Sequence, residues 1–309
     1  MTTNDPIILR FSGIEVEAVA PDRAEIEFHF GPHVARDSVH ADRLRVEFTR
    51  SGAGSGANQM PHSVPVAPTG AEFLVRRSDG TPLLRRAFRS WGDLPPALPP
   101  YAVLQDRFVL SQAVVLAKGG ASVALIGGPY SEKVNIAATL ARLSWEFVSG
   151  QLLVLDRATR QVMPYLVPLE VRGEAAAWLR GAGLPEGRWR CGRAPSGGEV
   201  LLVRPECLGG TVPVQSRIPR PSLVRLCRTA DDSVGLTPWD FVPHAWPAGS
   251  EDALAGMPTY RLEISRASGA EEAAGLIDRT LAPEKDTACL DVLAMPPAPR
   301  AGLTASLRI

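Results

Sequence analysis

A short run near the middle of the chain fixes the order of a strand, a glycine turn and a helix. Residues 123–126 are consecutive apolar residues, which predicts a buried strand. Gly127 and Gly128 end that strand, and Lys133 follows six residues after Gly127. Residues 134–143 are rich in Ala and Leu, which predicts a helix. The chain therefore contains an α/β unit at its centre.

This run has the layout of the phosphate-binding motif GxxxxGK[ST], with two of its positions changed. In that motif backbone N–H groups cradle the phosphates, the lysine reaches the outer phosphates, and the hydroxyl residue binds Mg²⁺. Glu132 stands at the second glycine and Val134 at the hydroxyl position. The pattern indicates an ATP-binding ancestry, and it predicts no metal ligand in the loop. The candidate nucleotide-binding residues are Gly127, Gly128, Ser131 and Lys133.

Composition limits the classes of partner. The 309 residues carry 33 basic and 33 acidic side chains, so there is no excess charge to attract nucleic acid or an acidic membrane. No apolar run approaches the roughly 20 residues that span a bilayer. The N-terminus lacks a basic segment followed by an apolar run, so we expect no signal peptide. Four cysteines without a CxxC pair predict free thiols in the cytoplasm and no zinc site.

The first hundred residues are dominated by strand patterns. Alternation over residues 7–19 and 24–30 predicts half-buried strands, with further strands at 43–48 and 71–76. The Gly-, Ser- and Pro-rich segment 51–70 has almost nothing to bury, which predicts a mobile surface loop. We expect residues 1–100 to form a β-rich region packed on the core, as an extension of its architecture.

The remaining chain predicts a core at residues 101–282 and a C-terminal tail at 283–309. We expect a helix within 101–116 and a Gly-, Pro- and Arg-rich loop over 181–199. The other predicted strands are 145–148, 151–156, 200–203, 222–227 and 260–264, and the other predicted helices are 174–180 and 270–281.

The order of these elements resembles the HPr kinase/phosphorylase-like family, in particular its stand-alone relatives found beside peptide-modification genes. The family's Leu-His-Ala-Ala stretch corresponds to residues 110–113, with Ser111 at the histidine position. Its Ser-Asp-Asp stretch corresponds to residues 149–151, where Gly150 and Gln151 replace both aspartates. A Pro-x-x-x-Pro-Leu segment matches residues 164–169. Residues 204–209 and 221–226 are similar to the closing strands of the family.

The resemblance implies a P-loop kinase core of the HPr kinase and phosphoenolpyruvate carboxykinase type. Such a core is α/β, with a mixed, mostly antiparallel sheet and few helices. Its cofactors would be ATP and Mg²⁺. Because the hydroxyl, the second glycine and both aspartates are replaced, we expect a pseudokinase that acts as a binding or scaffold partner. The relatives imply a protein or peptide partner in peptide natural-product modification, within a homo- or hetero-oligomer.

Two alternatives remain open at the level of sequence. In the first alternative, the chain is an active ATP-dependent kinase with remodelled metal ligation that acts on a peptide or small molecule. Alternatively, the pocket holds a different anionic metabolite through Lys133 and the arginines of the basic stretch, Arg188, Arg190 and Arg193. Retention of Lys133 favours both, since a chain with only three lysines keeps one at this position.

Other chemistry-bearing residues have simpler interpretations. His29 and His33 flank a Gly-Pro turn, so we expect exposed or core histidines in place of metal ligands. Asp231 and Asp232 lie in a segment typical of turns. His244 with Trp239 and Trp246 would anchor an irregular segment to the core. Asp156 lies too far along its strand to replace the missing aspartates, and Glu132 is expected to pair with Lys133 or to be solvated.

Overall fold

The computed structural model describes residues 6–11, 14–20, 23–36, 43–50, 71–88, 107–128, 132–181, 183–193, 199–229, 234–239, 251–265 and 269–283. Among these residues the protein is mixed α/β, with few helices and mostly antiparallel strand pairs. Several predictions from sequence fall outside the described residues: Ser131, the segment 51–70, Asp231, Asp232, His244, Trp246 and most of the tail.

The N-terminal strands form a five-stranded sheet in the order β1-β2-β3-β4-β5, separate from the central sheet. Only β2 and β3 run parallel. One face is apolar and buried, as the alternating sequence requires. On the other face Arg10, Glu15 and Arg43 stand in one cross-strand row and form ion pairs. The strands are β1 (Ile7–Phe11), β2 (Ile14–Val19), β3 (Arg43–Arg50), β4 (Ala71–Arg76) and β5 (Pro82–Phe88).

The predicted strand at residues 24–30 is wrong, because Arg23–Phe30 forms helix α1. Its apolar residues alternate because the helix is buried on two sides. Ile26 and Phe30 pack into the core under the N-terminal sheet, while Phe28 contacts Val200 and Leu202 of another sheet. A helix buried on both sides produces the alternation of a strand. A short 3-10 turn, Gly31–His33, follows.

The predicted helix within residues 101–116 is also wrong over the part that is described. Residues 108–118 instead form two strands, β6 (Phe108–Gln112) and β7 (Val114–Lys118). The segment is rich in valine, whose branched side chain favours strands over helices. Strand β7 pairs with the next strand, β8 (Ala121–Ile126), through a tight turn at Gly119 and Gly120, both with positive φ.

Strand β8, which precedes the glycine turn, lies inside a six-stranded sheet of order β15-β16-β14-β8-β7-β9. Strands β8, β14 and β16 are parallel, and the remaining pairs are antiparallel. The carboxyl ends of β8 and β14 therefore meet at the same edge, beside the glycine turn. The additional strands are β9 (Glu146–Ser149), β14 (Ser222–Arg228), β15 (Gly235–Pro238) and β16 (Thr259–Ile264).

Two smaller sheets complete the structure. Strand β10 (Leu152–Asp156) pairs with β6. Strands β11 (Leu169–Val171), β13 (Glu199–Val203) and β12 (Trp189–Arg193) form a three-stranded antiparallel sheet with β13 in its centre. The prediction of a continuous loop over residues 181–199 is therefore wrong where β12 interrupts it.

The predicted helices at 134–143, 174–180 and 270–281 are confirmed. They are α2 (Lys133–Arg142), α3 (Gly173–Gly181) and α5 (Ala270–Leu281), with a short α4 at Glu251–Leu254 between them. Helices α2 and α5 cover one face of the six-stranded sheet and share its largest apolar cluster. No helix in the described part of the chain is long and apolar enough to cross a membrane.

A hydrophobic cluster joins the first strands to the rest of the chain. It unites Phe11, Val16 and Phe48 with Phe108 and Tyr165. His33 reinforces the junction, since its Nδ1–H donates to the Arg10 carbonyl and its Nε2 accepts the Leu166 N–H, each at 3.0 Å. The partners fix the neutral tautomer, because a carbonyl only accepts and an amide N–H only donates.

Candidate functional site

The lysine of the loop is held by the strand that precedes it. Strand β8 delivers Gly127 to the edge of the sheet, and Lys133 is the first residue of α2. The Lys133 ammonium donates to the Gly127 carbonyl at 2.6 Å. The side chain therefore bridges the two ends of the turn, which brings the candidate residues Gly127 and Lys133 together.

Burial lowers the pKa of this lysine. Desolvation lowers the pKa of Lys133 from its ordinary value, and the negative field of Glu170 on β11 partly opposes the effect. Glu170 itself is paired with Arg172. The ammonium thus faces one carboxylate that lies outside the loop motif, and sequence spacing gave no reason to expect that neighbour.

Glu132, which stands where the motif has a glycine, adopts a backbone conformation that glycine favours. Its φ is 62° and its ψ is 8°, in the left-handed region that glycine occupies readily and other residues rarely occupy. Its carbonyl still accepts the first helical hydrogen bond, from the Ile136 N–H at 3.0 Å. Residue 132 therefore has a backbone conformation that suits glycine, although its side chain is a carboxylate.

The carboxylate of Glu132 is paired with an arginine on a neighbouring strand. Arg228, the last residue of β14, donates through Nη2 to Glu132 Oε1 at 3.0 Å. Glu132 therefore pairs with Arg228 and not with Lys133, and the pair is partly exposed to solvent, as the alternative expectation of a solvated carboxylate had it. Sequence reasoning missed Arg228, although its position after the apolar run 222–227 is a signal once β14 is known to run parallel to β8.

Val134 has become a packing residue. It is half-buried and lies against the apolar cluster that includes Ile136 and Leu140 of the same helix. A serine or threonine here would place its hydroxyl at the first turn of α2, where the motif binds Mg²⁺. The apolar contacts explain why valine is stable at this position.

Residue 150, which the resemblance aligns with the family's first aspartate, is a tightly packed glycine. Gly150 is buried, and a Cβ atom added to it would lie 2.8 Å from Leu169 Cγ and 3.2 Å from the Val167 carbonyl oxygen. A side chain at residue 150 therefore requires movement of β11 or of Leu169. This tight approach excludes any larger residue in the arrangement observed.

The position of the second aspartate carries a neutral amide that is already bonded. Gln151 Nε2 donates to the Pro168 carbonyl at 2.6 Å, which ties the β9–β10 turn to the segment before β11. Gly150 and Gln151 therefore take part in packing and hydrogen bonding between the β9–β10 turn and the segment that leads into β11. They form a structural junction.

Ser111 and Asp156, two residues considered in the comparison with the family, both have structural contacts. Ser111 is buried in strand β6, opposite Leu153 of β10, and not in a helix. Burial tends to raise the pKa of Asp156, but hydrogen bonds from the Thr159 N–H, Arg107 and the Ala158 N–H outweigh it and hold the pKa below its ordinary value. Asp156 thus caps its own turn.

The remaining candidates do not converge on the loop. His29 and His33 are both core residues, which confirms that interpretation. Arg188 pairs with Glu206 at 3.1 Å, and Arg190 pairs with Glu25 at 2.6 Å. Arg204 shares the Glu206 carboxylate with Arg188, so this cluster keeps one unbalanced positive charge.

Two cations next to the loop, Lys133 and Arg228, also have acceptors within the protein. Lys133 uses the Gly127 carbonyl and Arg228 uses the Glu132 carboxylate. Within the described ranges, no three His, Cys, Asp or Glu side chains lie close enough together to hold a metal ion. An anion that bound here would share Lys133 and Arg228 with these internal acceptors, since an ammonium carries three N–H donors and a guanidinium five.

Comparison of the chain with models of known protein families found no match. A search of curated proteins likewise found no similar sequence.

Proposed function

We propose that this protein is a catalytically disabled relative of the HPr kinase-like proteins, with a P-loop core of that type, which acts as a binding or scaffold partner of another protein or a peptide. The observation that carries the proposal is the junction at Gly150 and Gln151. Phosphoryl transfer depends on positioning and charge neutralisation, with a metal ion bridging the phosphates. A buried glycine packed on Leu169 and an amide bonded to Pro168 supply neither a base nor a metal ligand.

The contacts of the glycine loop support the same proposal, because they disfavour binding of a nucleotide phosphate. A bound phosphate would share Lys133 with the Gly127 carbonyl and would meet the negative charge of Glu132. Glu132 in turn engages Arg228 of β14. Lys133 and Arg228 therefore each have an acceptor within the protein already.

Calorimetric titration with ATP, with and without Mg²⁺, tests the proposal. The native chain should give no saturable, Mg²⁺-dependent heat, and it should release no ADP on prolonged incubation. A Lys133→Ala variant is the matched control, since it removes the ammonium that would contact the phosphates. Steady ATP turnover by the native chain, lost in that variant, would overturn the proposal. If nucleotide does not bind, the next experiment is chemical crosslinking of the native protein to its partner.

A second candidate function is an ATP-dependent kinase with remodelled ligation, and Glu170 is the observation that favours it. Its carboxylate acts electrostatically on Lys133 although it belongs to neither damaged motif. A Glu170→Gln variant separates the candidates. An active kinase that uses Glu170 should lose turnover with little change in stability. A scaffold should show no turnover in either protein.

A further inference from the structure

Strand β12 is the edge of the three-stranded sheet that also contains β11 and β13. Its register opposite β13 pairs Trp189 with Val203 and Cys191 with Leu201. The Arg204 N–H donates to the Arg188 carbonyl at 3.0 Å, so the alternate residues 188, 190 and 192 direct their main-chain groups towards β13. Trp189, Cys191 and residue 193 therefore direct theirs away from the sheet.

These outward main-chain groups are available. Among the described residues, neither Trp189 nor Cys191 has a main-chain hydrogen-bond partner on the outer side of β12. The strand contains no proline and no bulge, and although it carries charge, its Arg190 is paired with Glu25 of the same chain. An edge with unpaired main-chain groups is a template for another strand.

We propose that β12 pairs antiparallel with β12 of a second copy of this chain, with the two-fold axis passing through Cys191. The outward residues are centred on Cys191, so an antiparallel pair places Cys191 opposite Cys191 of the partner copy. It also places Trp189 opposite position 193. The two three-stranded sheets would then form one continuous six-stranded sheet.

The side chains of β12 suit a second copy. In this register Arg190 lies opposite the Gly192 position of the other chain, so the two arginines do not face each other. Arg190 is moreover held by its own chain, 2.6 Å from Glu25 and with its guanidinium carbon 4.2 Å from the centre of the Phe28 ring. Cys191 on the axis is small and exposed. Because one short strand buries little area, we expect a reversible dimer in the micromolar range.

Sedimentation equilibrium of the full chain tests the pairing. The mass should rise from 33.1 kDa towards twice that value as the concentration approaches about 100 µM, where a micromolar Kd leaves mostly dimer. A Cys191→Pro variant removes an outward N–H that the monomer does not use, and it should weaken association at least about tenfold. The matched Cys191→Val variant keeps that N–H and should associate like the native chain. A native chain that stays monomeric, or a proline variant that dimerises equally well, would overturn the proposal.

A crosslinking measurement keeps the test decisive if the proline variant does not fold. In a chain carrying Cys207→Ser, Cys227→Ser and Cys289→Ser, Cys191 is the only thiol. A short bis-maleimide reagent should then join two chains efficiently at concentrations where the dimer forms. Crosslinking no greater than in the same chain unfolded in urea would contradict an axis at Cys191.

Discussion

The Arg228 guanidinium reaches Glu132 from the end of β14 and bonds to its carboxylate at 3.0 Å. The two residues lie 96 positions apart in the chain, and Glu132 is in the left-handed backbone region. The ion pair is substantially exposed, so it contributes only about 0–1 kcal/mol, whereas left-handed backbone costs an ordinary residue about 1–2 kcal/mol. The backbone, more than the ion pair, should therefore decide how substitutions act here.

We expect Glu132→Gly to be more stable than Glu132→Ala by about 1 kcal/mol. Both variants lose the pair with Arg228, but only glycine adopts the φ of 62° without strain. Urea unfolding of the two variants beside the native chain measures the difference. An alanine variant at least as stable as the glycine variant would mean that residue 132 is not held in this conformation in solution.

Lowering the pH should destabilise the fold through His33. Burial lowers the pKa of His33 from 6.5 to about 4, against the raising effect of its hydrogen bond to the Arg10 carbonyl. In the unfolded chain the ring takes up a proton near its ordinary pKa of about 6.5, so the unfolded state binds more protons between these values. Stability is therefore fully present above about pH 6.5 and falls as the pH drops towards 4, by about 3 kcal/mol from this group.

Unfolding measured over this pH range in the native chain and in His33→Gln isolates that effect. Carboxylates titrate in both proteins, so their contribution cancels in the difference between the two free energies. The difference should shrink as the pH falls from 6.5 to 4. A difference that does not change with pH would show that protonation of His33 is not coupled to unfolding.

Gly150 and Leu169 should be energetically coupled. We expect Gly150→Ala to destabilise by about 1–3 kcal/mol, because the new Cβ meets Leu169 Cγ at 2.8 Å. Leu169→Ala alone should cost about 2–5 kcal/mol, since the side chain is fully buried. The double variant should be less destabilised than the sum, because each change relieves the other. Simple additivity would indicate that the two residues do not touch.

Asp278 should matter more for stability than its ion-pair partner Lys118. One carboxylate oxygen of Asp278 accepts from Lys118 Nζ and from Trp145 Nε1, each at 2.7 Å. Asp278→Ala would leave the N–H of a fully buried tryptophan without this acceptor, for a loss of about 2–3 kcal/mol. The control Lys118→Met removes only a part-exposed pair and should cost less than about 1 kcal/mol. Equal losses in thermal or urea unfolding would contradict this order.

Much of the fold could be predicted because local patterns and tertiary burial agree. Residues 71–76 and 270–281 form the predicted strand and helix, and the helix buries one side only, through Ala273, Ala274 and Ile277. Residues 24–30 were mispredicted because α1 is buried on two sides, which erases the helical period. The mixed, mostly antiparallel arrangement was also predicted in general terms.

The surroundings of the loop were less predictable from sequence. The order of glycines, Lys133 and helix α2 was apparent, but its partners Arg228 and Glu170 come from distant strands. The close approach of Leu169 to Gly150 likewise depends on how β11 packs. The sequence shows which residues stand at these positions, whereas their contacts depend on tertiary packing.

The apolar cluster that joins Phe11 and Phe48 to Phe108 and Tyr165 also limits how the chain can be divided. A fragment that starts after residue 100 would carry Phe108 and Tyr165 with their former contacts exposed to water. Such a fragment should aggregate or be digested rapidly by proteases. Experiments on the glycine turn and Lys133 are therefore best done on the intact polypeptide.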